Sequence, residues 1–186
     1  MKSFFPENTE PRRIKISIPS MMQKFHPCTE EYIKTVCKGR CCEGSKGIKV
    51  VVEDSEIDHI RALGASVEDN FILADDRKLC PFKSDEGFCK IHEQKPFGCK
   101  ASPFILSKND VLIVRNRYRL LRCFNAVGAI EAYKAHRWSL EQIFGCTEYE
   151  KLCNGIKRGG KDVYLLMEHS KYLIFKHNTQ SRKHAN

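Results

Sequence analysis

Ten cysteines fall in a chain of 186 residues, and eight of them lie between positions 28 and 123. That stretch constrains the fold more than any other feature. Residues 74–110 are rich in turn formers, carry Pro81, Pro96 and Pro103, and lack a long apolar run. Such a segment needs a source of cohesion other than a hydrophobic core. Metal–thiolate bonds supply one, because binding free energy becomes folding free energy when the site exists only in the folded chain. The alternative is disulfide bonding, which needs an oxidising compartment. The N-terminus, MKSFFPENTEPRR, has no apolar signal core, so the expectation is a cytoplasmic, reducing environment. No apolar run approaches the roughly 18 residues of a membrane span, and no membrane partner is expected.

The positions are Cys28, Cys37, Cys41, Cys42, Cys80, Cys89, Cys99, Cys123, Cys146 and Cys153. In CKGRCC (37–42), Cys37 and Cys41 are four apart, so one helical turn or a tight knuckle brings both sulfurs to one centre. Gly39 permits the turn between them. Cys41 and Cys42 are neighbours, whose side chains diverge in a helix or a strand. They are therefore expected to serve different centres, or opposite edges of one. Cys80, Cys89, Cys99 and Cys123 form a second group, in a single loop–strand unit that suits a four-cysteine site. No CxxC pair occurs anywhere, unlike a zinc ribbon or a thioredoxin-like site. Cys146 and Cys153 read as spare thiols or a redox pair around a turn.

Ordinary secondary structure flanks this region. RRIKISI (12–18) alternates Ile14, Ile16 and Ile18, a strand pattern. Residues 29–37 predict a short helix with Thr29 as its cap and Gly39 at its end. GIKVVVE (47–53) predicts a strand. Ser55 is the expected cap of a helix carrying Ile57, Ile60 and Leu63, stopped by Gly64. Residues 110–118 predict another strand. Helices are expected over 125–138, over 139–144 with Ser139 as cap, and over 162–176, where Val163, Leu166, Met167 and Ile174 recur at helical spacings. The whole predicts an α+β fold: a small single domain with short strands, metal-bound cysteine-rich loops and C-terminal helices. Its expected parts are an N-terminal arm and strand (1–26), a cysteine-cluster metal-binding unit (27–125), helices packed on it (126–178) and a frayed tail (179–186).

The chain resembles the YkgJ-type cysteine-cluster family, also called CxxCxxCC, a family of candidate zinc- or iron-chelating domains. The CC pair that ends the family's first motif is matched by Cys37, Cys41 and Cys42. Its second motif is matched in order by Cys80 and Phe82, then Cys89, Ile91 and His92, then Lys95-Pro96 in place of Arg-Pro, then Cys99-Lys100 and Pro103. His92 stands where the family often has tyrosine, which implies a packed aromatic position. Cys123 matches a later family cysteine. The first motif departs from the pattern, since Lys34 sits where a leading cysteine is usual, and Cys28 is the substitute. The resemblance covers about residues 28–125. It implies metal held by Cys28, Cys37, Cys41, Cys42, Cys80, Cys89, Cys99 and Cys123.

Thiolates suit both zinc and an iron–sulfur cluster, and the long uneven gaps lean toward iron–sulfur. The expected function is metal binding with a structural or redox role. Two alternatives follow. Some relatives resemble protein lysine N-methylases, but the chain has no Gly-x-Gly, and HEQKP (92–96) lacks the second histidine of HExxH. The radical-enzyme spacing would need a cysteine at Gly44, and no serine nucleophile elbow appears. The formal charge of +9 suits weak binding of nucleic acid or of an acidic protein partner. Arg115, Arg117 and Arg119 would share one strand face for that purpose, although a solvated face explains them as simply. Lys38, Arg40, Lys90 and Lys100 stand beside candidate ligands, where they offset thiolate charge or face solvent. The other histidines, His26, His59, His136, His169, His177 and His184, form no sequence-local ligand pair, and Trp138 and Phe144 are expected to pack in the C-terminal helices.

Overall fold

The computed structural model describes residues 10–43 and 50–180, with side chains as far as Lys176. Residues 1–9 of the expected N-terminal arm, the first part of the 47–53 strand and the last six residues of the tail lie outside the described residues.

A four-stranded sheet organises the larger part, in the order Phe104–Leu106, Val111–Val114, Arg12–Ile16, Val163–Met167. The period-two isoleucines make the strand predicted at 12–18, with Ile14 and Ile16 each 1% exposed. Ser17 then caps a short helix, Ile18–Met21. Ser20 Oγ accepts from the Val114 amide at 2.7 Å and is itself buried. Behind the sheet pack Ala132–Ala135, Arg137–Phe144 and Cys146–Lys157, which bury Leu140, Ile143, Phe144, Tyr149 and Leu152 against it. Each fully buried aliphatic side chain contributes roughly 2 kcal/mol.

A smaller cluster forms around Val52, Ile60, Val67, Ile72 and Phe82. It combines the helix Asp54–Ala62 with the two-residue strands Val50–Val51, Phe71–Ile72 and Val67–Glu68. Mixed sheets with C-terminal helices make the fold α+β.

Four local expectations fail. Residues 163–167 are a strand, not the start of a helix over 162–176. Val163, Leu165 and Met167 face inward while Tyr164 and Leu166 remain exposed, and Arg12–Ile16 lies antiparallel alongside. Period two prevailed over an incidental helical spacing, and the helix begins only at His169. Residues 125–138 are not one helix: Ile130–Glu131 pairs with Lys24–Phe25, and the next helices break at His136. Ser139 is no cap; it lies inside Arg137–Phe144 and donates to the Ser102 carbonyl at 2.7 Å. The helix at 54–62 is capped at Glu53 rather than Ser55, with the Glu56 carboxylate accepting from the Glu53 amide at 3.1 Å.

Two readings about special side chains also change. The strand near 110 ends at Val114, and Asn116–Leu120 is a 3-10 turn. Arg115 is therefore buried while Arg117 and Arg119 are exposed, and the three do not share a strand face. Cys146 and Cys153 lie on one helix, two turns apart. Their separation of about 10.5 Å along the axis exceeds the roughly 7 Å Cα limit of a disulfide, so they do not form a redox pair within the chain.

Candidate metal centre

The site is built on a chain reversal at CKGRCC. Thr29 caps the preceding helix by accepting from the Tyr32 amide at 3.3 Å. The helix widens over Ile33–Cys37 and ends with Lys38 and Gly39, both at positive φ (53° and 63°). Arg40–Cys42 then forms a 3-10 turn. Cys37 thus ends the widened helix and Cys41 lies on the 3-10 turn beyond the knuckle, so the two are not on one helix. The knuckle backbone rests on another loop: a Cβ on Gly39 would stand 2.1 Å from the Gly87 carbonyl oxygen.

That second loop carries Cys80 and Cys89. It is closed by Ser84 N donating to the Phe88 carbonyl at 2.8 Å and Lys90 N donating to the Phe82 carbonyl at 2.8 Å. Buried Lys83 pairs with Glu43, the residue after Cys42. Cys99 sits on the short helix Phe97–Lys100. The Glu56 carboxylate fixes that helix by accepting from the Phe97 amide at 2.9 Å, and Gly98 lies so close to Val51 that a Cβ would be 2.7 Å from its carbonyl oxygen. Arg122 and Cys123 are tied to the first segment by three hydrogen bonds. His26 N donates to the Cys123 carbonyl at 2.8 Å. Tyr32 Oη donates to the Arg122 carbonyl at 2.8 Å, and Arg122 Nη1 donates to the Val36 carbonyl at 3.2 Å.

These contacts draw Cys28, Cys37, Cys41, Cys42, Cys80, Cys89, Cys99 and Cys123 onto the wall of one cavity of about 540 Å³. The cavity lies between the two hydrophobic clusters. Cys146 and Cys153 are not on it. The sulfurs divide by neighbourhood. The Cys28 thiol is pushed up to about 12 by burial and then by Cys41, Cys123 and Cys37. Cys123 is pushed up to about 11 by burial, Cys37 and Cys41. Cys99 is pushed up to about 12 by burial and by Cys80, Cys89 and Cys41, against the opposing effect of Lys95, and burial raises Cys80 beside Cys89. Cys42 is raised by its hydrogen bond to Cys41, by burial, and by Cys41, Cys99 and Cys80. Cys41 is lowered to about 7 by the Cys42 thiol, with help from Arg117 and Lys95 against the opposing effect of burial.

Cys28, Cys37, Cys41 and Cys123 are electrostatic neighbours, as are Cys42, Cys80, Cys89 and Cys99, and Cys41 acts on both Cys42 and Cys99. Cys41 and Cys42 stand at the seam with sulfurs 4.0 Å apart, closer than diverging neighbours would be, because both sit on one tight 3-10 turn. Cys28 is exposed as a residue and still lines the cavity.

Among the described residues, no three Cys, His, Asp or Glu side chains are already gathered tightly about one point. The donor chemistry nonetheless fits a thiophilic cation. Thiols held protonated by burial and by one another are released when a cation takes the proton's place.

Other residues on the cavity were missed or misread in the sequence. His92 is exposed rather than packed, with its ring 5.4 Å from Trp138 and Nε2 3.2 Å from Lys95 Nζ. Lys38, Arg40 and Lys90 face solvent. The cations that reach the cavity are Lys95, Arg115 and Arg117. The Arg-Pro position of the motif was the one available signal for Lys95. Half-buried His136 and Trp138 complete the wall.

The CxxCxxCC model, which describes candidate zinc- or iron-chelating domains, matches residues 28–123. The chain belongs to this family of metal-binding domains. A comparison with curated proteins and with solved structures finds no match. Among the described residues, no helix is long and apolar enough to cross a membrane.

Proposed function

We propose that the protein holds metal through Cys28, Cys37, Cys41, Cys42, Cys80, Cys89, Cys99 and Cys123, in two four-sulfur sets that abut at Cys41 and Cys42. The observation that carries this reading is the meeting of eight sulfurs, from segments up to 95 positions apart in sequence, on one cavity wall. An iron–sulfur centre is favoured over zinc. A structural zinc site is closed around a single ion, whereas a cavity this size leaves room for inorganic sulfide between thiolates. The role is redox or structural, and the unit that closes around the metal is residues 27–125.

The test is metal and acid-labile sulfide analysis, with a visible spectrum, on protein purified without oxygen. Stoichiometric iron with sulfide is expected. Zinc alone would replace the iron–sulfur assignment by a structural site. No metal, with all thiols free and the fold intact, would overturn the reading.

A further inference from the structure

The knuckle and the segment that begins in the 3-10 turn Asn116–Leu120 lie side by side and run in opposite directions. Arg122 donates to the Val36 carbonyl at 3.2 Å, and Arg117 donates to the Cys41 carbonyl at 3.4 Å. Between these two anchors stand Lys38 and Arg40 on one segment and Arg119 and Leu120 on the other. Neither VCKGRC (36–41) nor RYRLLR (117–122) contains a carboxylate. Lys38, Arg40, Arg117, Arg119 and Arg122 are all exposed, and none of them pairs with a carboxylate among the described residues. Glu43, just beyond the knuckle, is taken by Lys83. Leu120, on the same surface, is 87% exposed.

We propose that this surface docks an acidic protein face with an apolar centre, laid against the knuckle that walls the sulfur cavity. Like charges held this close repel one another, and carboxylates of a partner relieve that repulsion while steering its approach. An exposed leucine is ordinary when it stands alone. Set among cations, Leu120 matches the anatomy of a protein interface, an apolar centre within a charged rim. Nucleic acid fits less well, because stacking of unpaired bases needs open aromatic faces. Tyr118 in the turn is buried, and Tyr32, which bonds the Arg122 carbonyl, is stacked on His26 at 3.8 Å. The inference stands on this surface and is independent of the metal-binding reading.

The test uses full-length protein purified without oxygen and three labelled probes of matched negative charge, read by fluorescence anisotropy. The first is a glutamate-rich helical peptide with a leucine stripe, the second an all-glutamate peptide, the third a thymidine oligonucleotide. Wild type is expected to bind the leucine-striped peptide most tightly, and added salt to weaken that binding. Arg40 and Arg119 hold no backbone carbonyl, so reversing them leaves the Arg117 and Arg122 braces in place. Arg40→Glu with Arg119→Glu is expected to lose about tenfold or more in affinity, and Leu120→Ser about fivefold. Lys157→Glu with Arg158→Glu makes the same change in net charge at the exposed end of the helix Cys146–Lys157 and is expected to stay near wild type. If the double reversal at 40 and 119 does not fold, Arg119→Gln replaces it, with a smaller loss expected. Equal losses in the two reversed pairs would overturn the inference, since net charge alone would then explain the binding. Tighter binding of the oligonucleotide would overturn it in favour of nucleic acid, and an unchanged Leu120→Ser would remove the apolar centre. Metal content of the same samples keeps the two readings apart. Metal-loaded wild type that ignores the striped peptide sinks this inference alone, and metal-free wild type that binds it leaves this inference standing without the metal reading.

Discussion

Gly39 and Gly87 carry the closest backbone approach at the site. Gly39 has φ of 63° and Gly87 has φ of 95°, and each would drive a Cβ into the other's loop, at 2.1 Å and 2.5 Å. Gly39→Ala therefore meets both a left-handed backbone and a carbonyl oxygen. It should destabilise the protein by about 2 kcal/mol or more and reduce metal content. Gly64 also has positive φ, 99°, but nothing lies within 4 Å of its Cβ position. Gly64→Ala should cost only about 1 kcal/mol. Denaturant midpoints and metal content of the two variants check this, and equal losses would refute the contact. The turn at Gly39 was legible in the sequence, because a glycine between clustered cysteines signals a chain reversal. Its partner was not, since nothing local to Gly87 points to a loop almost fifty residues away.

At the scale of elements, the break between Ala132–Ala135 and Arg137–Phe144 centres on His136. Its ring packs edge-on against Phe25 at 5.3 Å and Phe104 at 6.1 Å, and Nε2 has no hydrogen-bond partner among the described residues. Burial holds its pKa down at about 4, against an ordinary 6.5. The unfolded chain binds this proton near pH 6.5 and the folded chain does not until about 4. The stabilisation is therefore complete above 6.5 and is lost as pH falls toward 4, a change of up to about 3 kcal/mol. Urea melts between pH 7 and 4 should show a shallower decline for His136→Gln than for wild type; parallel declines would refute the assignment. The sequence offered His136 no role, because its burial depends on aromatic rings from two other strands. The helix expected over 162–176 failed for a related reason. Both periods fit the apolar residues of that segment, and only pairing with Arg12–Ile16 selected the strand.

At the scale of the molecule, two hydrophobic clusters of unequal size flank the sulfur cavity. The larger draws on residues from Ile14 to Phe175. Among the described residues the smaller has seven buried members, two of them Cys80 and Phe82 from the cysteine loop. So small a cluster holds little of its own fold. Metal removal should therefore loosen it first. Hydrogen exchange after chelation should show protection lost over 50–91 while Arg12–Ile16 and Val163–Met167 keep theirs. Uniform loss across both clusters would refute this division.

Taken alone, the sequence determined the chemistry: a metal-binding domain of mixed class, and the eight cysteines proposed as ligands. Those conclusions depend on residue type and order, which travel with the chain. Only the tertiary structure decided that the eight cysteines line one cavity, and that Lys95 rather than Lys38 or Arg40 reaches it. Those outcomes depend on contacts between distant backbones, Gly39 on Gly87, Phe97 on Glu56 and His26 on Cys123. Spacing along a chain says how far two groups can be apart, and long-range contacts set where they meet.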